Sequence, residues 1–138
     1  MFNIKEFEKI YNLLKEKNKK EANKHLISFR AKFALHPDYL FLMSEYLLLE
    51  ERIYQAIDTL HSSLLIDYDD MFLLKNNFEK SSIKLVDKKF ELFGKLFKII
   101  NNLELSKDAE DTNNEQKKLF FFNKLQELMP GIGFNKKP

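Results

Sequence analysis

The sequence predicts an all-α protein: tandem antiparallel helical hairpins, then a long helix and a C-terminal amphipathic capping helix. Three observations carry this. Apolar residues recur three and four positions apart over most of the chain, the spacing of one helix face. Turn formers are scarce: the 138 residues include three Gly and three Pro, and four of those six lie in the last nine positions. That leaves little punctuation for many short strands. Composition is 44% hydrophobic and 32% charged, rich in the helix formers Lys, Glu and Leu, as expected of one folded domain with its own core.

The elements run in this order. Asn3 and Glu6 have capping-box spacing, and Ile4, Phe7, Ile10, Tyr11 and Leu14 mark one face of a first helix running from Ile4 to about Lys17. Asn18 and Glu21 repeat the cap signal. They start a second helix with Ala22, Leu26, Phe29 and Phe33 inward, ending near His36, because the residue before Pro37 is biased out of the helical region. Pro37 then suits the first turn of a third helix, from Asp38 to about Glu50. That helix is apolar all round and should be buried on several sides. A fourth, from about Ile53 to Ile66, points Ala56, Ile57, Leu60 and Leu64 inward; Asp67, Asp69 and Asp70 should end it and cap the next element.

Residues 71–105 read as helical, interrupted near Ser81 and Ser82. The later part carries two apolar stripes, one of Val86, Phe90, Phe93, Phe97 and Ile100, the other of Leu85, Leu92, Leu96, Ile99 and Leu103. Two stripes predict contacts on two sides. Residues 106–114 read as a flexible linker. Thr112 and Glu115 open a last helix over 115–129, with Phe121, Phe122, Leu125, Leu128 and Met129 along one face; Pro130 and Gly131 stop it. The domain reading is therefore a hairpin domain over 1–105, a linker over 106–114, and a C-terminal helix and tail over 115–138 that pack on the same domain.

The formal net charge is +2 but unevenly spread. Residues 1–36 carry nine basic and four acidic groups, about +5, whereas 37–70 carry one basic group, Arg52, and eight acids, about −7. Residues 71–107 return to about +4, 108–116 fall to about −4 and the tail is about +4. Arg30 and Arg52 are the only Arg, a poor endowment for bidentate base recognition, so no nucleic-acid partner is expected. The absence of Cys removes disulfides, thiol chemistry and zinc-finger ligand sets. The N-terminus lacks a signal-peptide apolar core and no apolar run approaches the ~20 residues of a membrane span. The expectation is a cytoplasmic protein with no stable membrane insertion.

The 34 residues 37–70, PDYLFLMSEYLLLEERIYQAIDTLHSSLLIDYDD, resemble a tetratricopeptide repeat. With Pro37 first, the packing positions of that pattern fall on Leu40, Met43, Ser44, Leu47, Ala56, Leu60 and Ser63. The small residues Ser44, Ala56 and Ser63 would let paired helices approach closely. The pattern's aromatic is absent at Leu40, Glu51 or Arg52 stands for its connecting Gly, and Tyr68 for its closing Pro. Residues 3–36 form a weaker second unit, with Ala22 in register but Glu6 and Lys9 at apolar positions. The segment after Met71 departs further, with Phe90 where Ala belongs. The resemblance covers about half the chain; a different helical bundle is the alternative. It implies a concave groove lined by Asp38, Phe41, Glu45, Leu48 and Leu49.

Chemistry-bearing motifs are few. His25, His36 and His61 have no metal-ligand spacing and are expected to face solvent or cap helices. Asp67, Asp69 and Asp70 lack the turn Gly and closing Glu of a calcium loop. No phosphate-cradling Gly-rich loop occurs, and the serine pairs Ser62, Ser63 and Ser81, Ser82 have no nucleophile context. One pattern is sharper: RAKFALH, from Arg30 to His36, resembles the Arg-x(4–6)-His motif of HEPN-type helical ribonucleases. The resemblance implies phosphate binding by Arg30 and acid–base action by His36 on a ribose hydroxyl, though Lys32 departs from the polar residue usual there. Phe120 to Phe122 with Lys117, Lys118 and Lys124 could touch a membrane surface, but packing on the domain is the plainer use.

The expectation is a non-enzymatic, cofactor-free and metal-free adaptor or chaperone-like module. It would hold an amphipathic or basic peptide or helix of another protein. The alternatives are a HEPN-like ribonuclease and a self-assembling structural protein, with a homodimer open in either case.

Overall fold

A computed structural model describes residues 4–106. Among them the chain forms six helices and no strand: α1 (Ile4–Lys15), α2 (Lys19–Phe33), α3 (Pro37–Leu49), α4 (Ile53–Asp67), α5 (Asp70–Lys75) and α6 (Ile83–Ser106). Of the linker expected over 106–114, Ser106 ends α6; the rest of it, the helix expected over 115–129 with Phe121, Phe122, Leu125 and Leu128, and the tail lie outside the described residues, as does the cap expected at Asn3.

The turns that follow α1 and α3 are made alike. α1 ends with Lys17 in the left-handed region (φ 62°). The Lys17 N–H reaches the Leu14 carbonyl at 3.0 Å and the Asn18 N–H the Leu13 carbonyl at 2.9 Å, a Schellman ending without the usual Gly. α3 ends the same way, with Glu51 at φ 61° and N–H bonds from Glu51 to Leu48 and from Arg52 to Leu47. The two turns stand 34 residues apart, as do the buried pairs Ala22 and Ala56, and Leu26 and Leu60. The register then lapses. α5 is only six residues long, with Asn77 left-handed and its own Schellman bonds.

α3 is the central element, packing on α1, α2 and α4, which is why it can be apolar all round. Close approach is fixed by small residues. Ser44 and Ser63 are fully buried and donate to the Ala56 and Pro37 carbonyls, each at 2.7 Å. Tyr39 donates to the Leu26 carbonyl at 2.7 Å, tying α3 to α2. Buried hydroxyls without such acceptors would cost about 1–3 kcal/mol each.

α6 lies against α4. Its two sequence stripes do not serve two neighbours separately. The buried face takes Leu92, Leu96 from one and Phe93, Phe97, Ile100 from the other, with Lys89 continuing it. Residues three and four apart straddle a single contact line, so adjacent stripes merge into one broad face. Leu85, Val86 and Phe90 pack half-buried at its edge. No helix among the described residues is long and apolar enough to cross a membrane.

Candidate binding groove and the charge network beneath it

A groove of about 900 Å³ opens between α1 and the start of α6. Ile4, Phe7 and Tyr11, with Glu8 and Asn12, come from α1; Lys84, Leu85 and Lys88 come from α6; His36, Asp38 and residues 79–82 close one end. The α1 wall is aromatic because residues four apart share a face. The Phe7 and Tyr11 rings stack at 5.9 Å, and both stack on Phe41 of α3, at 6.2 and 6.0 Å. The Lys88 and Lys15 ammonium groups sit 4.7 and 5.1 Å from the Tyr11 ring centre.

This is where the expected groove residues stand. Phe41 is fully buried under the α1 aromatics, so no ligand reaches it while α1 is in place. Its truncation would be a core deletion costing about 3–5 kcal/mol, not a probe of binding. Asp38 lines the groove but is engaged by Ser81. Glu45 is half-buried and pairs with Lys15 at 3.8 Å; burial pushes its carboxyl above the usual range, with Lys15 opposing. Leu48 and Leu49 pack half-buried against the core. Of the five, only Asp38 borders the open space.

Behind the groove lies a polar network absent from the sequence expectation. Lys89 is fully buried on the core face of α6 and donates to the Asp67 carboxylate, itself buried at the end of α4. Lys89 also donates to the Ser81 hydroxyl at 3.1 Å; that hydroxyl donates to Asp38 at 2.5 Å, and the Ser81 N–H faces Asp67 at 3.4 Å. Burial lowers the Lys89 pKa, and the Asp67 charge works against that shift. One ammonium thus joins α3, α4, the 76–82 connection and α6. Asp67 was expected to cap; instead it is the counter-ion of this lysine, and only Asp69 caps, accepting from the Phe72 N–H at 3.0 Å. A signal did exist: Lys89 sits in the apolar register between Leu85 and Leu92 or Phe93. A lone lysine there calls for a buried acid.

His36 caps α3, its Nδ1 accepting the Asp38 N–H at 3.1 Å. It is buried between the edge of Phe33 (5.8 Å) and Phe78 (4.8 Å). Burial pushes its pKa below the ordinary 6.5, with Asp38 opposing and Lys89 reinforcing. Arg30 is exposed on α2 and does not line the groove that His36 borders. His61 is buried in α4, neither solvent-facing nor capping as expected. Among the described residues no cluster of His, Cys, Asp or Glu is arranged to hold a metal ion.

Neither a protein-family model, nor a curated protein, nor a solved structure matches this chain.

Proposed function

We propose that the protein is a non-enzymatic binding module that holds an amphipathic peptide or helix of another protein in the groove between α1 and α6. The observation that carries this reading is the groove's lining: Ile4, Phe7 and Tyr11 on the α1 side and Leu85 on the α6 side, with Glu8, Glu79, Lys80, Lys84 and Lys88 among the charged residues around them. An apolar floor with charged rims is the complement of an amphipathic helix, whose buried face supplies affinity and whose flanks set orientation. The 34-residue recurrence of the turns after α1 and α3 and of Ala22 and Ala56 supports a tetratricopeptide-like pair of hairpins as the scaffold. In this arrangement the apolar wall is supplied by α1 and α6 rather than by Phe41, and the lysines of α6 favour acidic groups on that side of the ligand.

The test starts from a partner identified by pull-down and purified. Tyr11→Ala and Leu85→Ala together should weaken its binding at least about tenfold, the effect of losing two apolar contacts, while the helical circular dichroism persists. Wild-type affinity in the double variant would move the site elsewhere. Purified protein should leave tRNA and single-stranded RNA intact; cleavage lost in both Arg30→Ala and His36→Ala would replace this reading with the ribonuclease one.

A further inference from the structure

We infer that the groove's resident occupant is the chain's own C-terminal segment, residues 115–129, docked through Phe121, Phe122, Leu125 and Leu128 as an intramolecular competitor of the partner. The inference rests on the binding role proposed for the groove and adds its regulation.

Chain length makes the placement feasible. From Lys88 at the groove, α6 runs 18 residues to Ser106, about 27 Å at 1.5 Å per residue. The eight residues 107–114 reach roughly 26–29 Å when extended. As the helix that its spacing predicts, segment 115–129 adds about 22 Å. A segment turning back beside α6 therefore reaches the groove even with its linker well short of full extension.

Chemistry makes the groove the fitting end point. EQKKLFFFNKLQELM has one apolar face, and Phe121, Leu125 and Leu128 fall on it at spacings of four and three. Such a face needs a complement of aromatic and branched side chains. Phe7, Tyr11 and Leu85 are half-buried in the groove, and Ile4 at its mouth is 70% exposed. Polar residues Asn123 and Glu127 would then face water. A tethered ligand works at millimolar effective concentration, so a partner must bind well enough to displace it. That makes the groove selective without any new contact.

The chain contains no Cys, so any disulfide in a double-Cys variant is the introduced one. The full-length variant Lys84→Cys with Gln126→Cys places one thiol on the groove wall and one beside the apolar face, leaving that face intact. Under a glutathione redox buffer it should close an intramolecular disulfide at least about tenfold faster than the control pair Met71→Cys with Gln126→Cys. Met71 is 81% exposed on α5 and lies outside the groove lining. Adding Phe121→Ser and Leu125→Ser should remove that advantage. Equal closure with the Met71 control, a disulfide-linked dimer as the main product, or no closure would each overturn the inference. None of these results would touch the partner-binding reading, which Tyr11 and Leu85 test separately.

Discussion

Lys89 is the residue at which one substitution should do most damage. It is 0% exposed, and its Asp67 partner is 1% exposed. Replacing Lys89 by Met keeps most of the side-chain volume and removes the charge. Asp67 is then left as a buried carboxylate with no cation and one 3.4 Å contact to the Ser81 N–H, while the Ser81 hydroxyl loses its donor at 3.1 Å. Breaking a buried pair from one side costs about 3–5 kcal/mol, a large share of the 5–15 kcal/mol typical of a domain. Replacing both partners removes the stranded charge, so Lys89→Met with Asp67→Leu should recover at least about 2 kcal/mol of that loss. The assay is urea unfolding followed by circular dichroism at 222 nm, with the free energy extrapolated to water and the slope compared across variants. A single variant costing less than about 1 kcal/mol, or a double variant at the sum of the singles, would refute the reasoning. Either result would mean that the ammonium is hydrated and the network does not hold α6.

Three further outcomes are expected. Because burial holds the His36 pKa below 6.5, the unfolded chain binds the proton first. Stability is then intact above about pH 6.5 and falls as acidification passes that value toward the lowered native one. Glu45 has the opposite sign, its raised native pKa favouring the fold at low pH. The readout is therefore the difference between wild type and His36→Asn, which keeps a capping side chain, and a difference flat from pH 7 to 5 would remove His36 from the account. Lys17 and Glu51 hold φ of 62° and 61°, so Lys17→Gly and Glu51→Gly should each stabilise the fold by about 0.5–1 kcal/mol in thermal unfolding; destabilisation by either would show that the left-handed turn is not strained. Tyr39→Phe deletes the 2.7 Å bond to the Leu26 carbonyl and should cost about 1 kcal/mol in urea unfolding, whereas an unchanged midpoint would mean that water replaces the hydroxyl.

Local signals fixed much of the helical layout in advance. Asn18, Pro37 and Asp69 act on backbone groups within three residues of themselves, so their roles as cap, first-turn residue and cap are legible along the chain. The small residues Ser44, Ala56 and Ser63 are placed between paired helices by the resemblance to a tetratricopeptide repeat rather than by a local signal, and all three are buried. What is built between distant segments was not legible. Asp67 could be read only as one more acid after α4, because its partner Lys89 is 22 residues away and nothing local ties them. Phe41 stood as a groove residue only through the resemblance to a tetratricopeptide repeat, and the position of α1 covers it instead. The α6 face was split into two stripes because periodicity gives the angle between residues but not where the neighbouring helix lies. Spacing and caps are properties of a few adjacent residues, and the sequence alone determines them. Which apolar face becomes core, which carboxylate is an ion-pair partner, and where open space remains depend on how the helices pack, and the tertiary structure alone decides these.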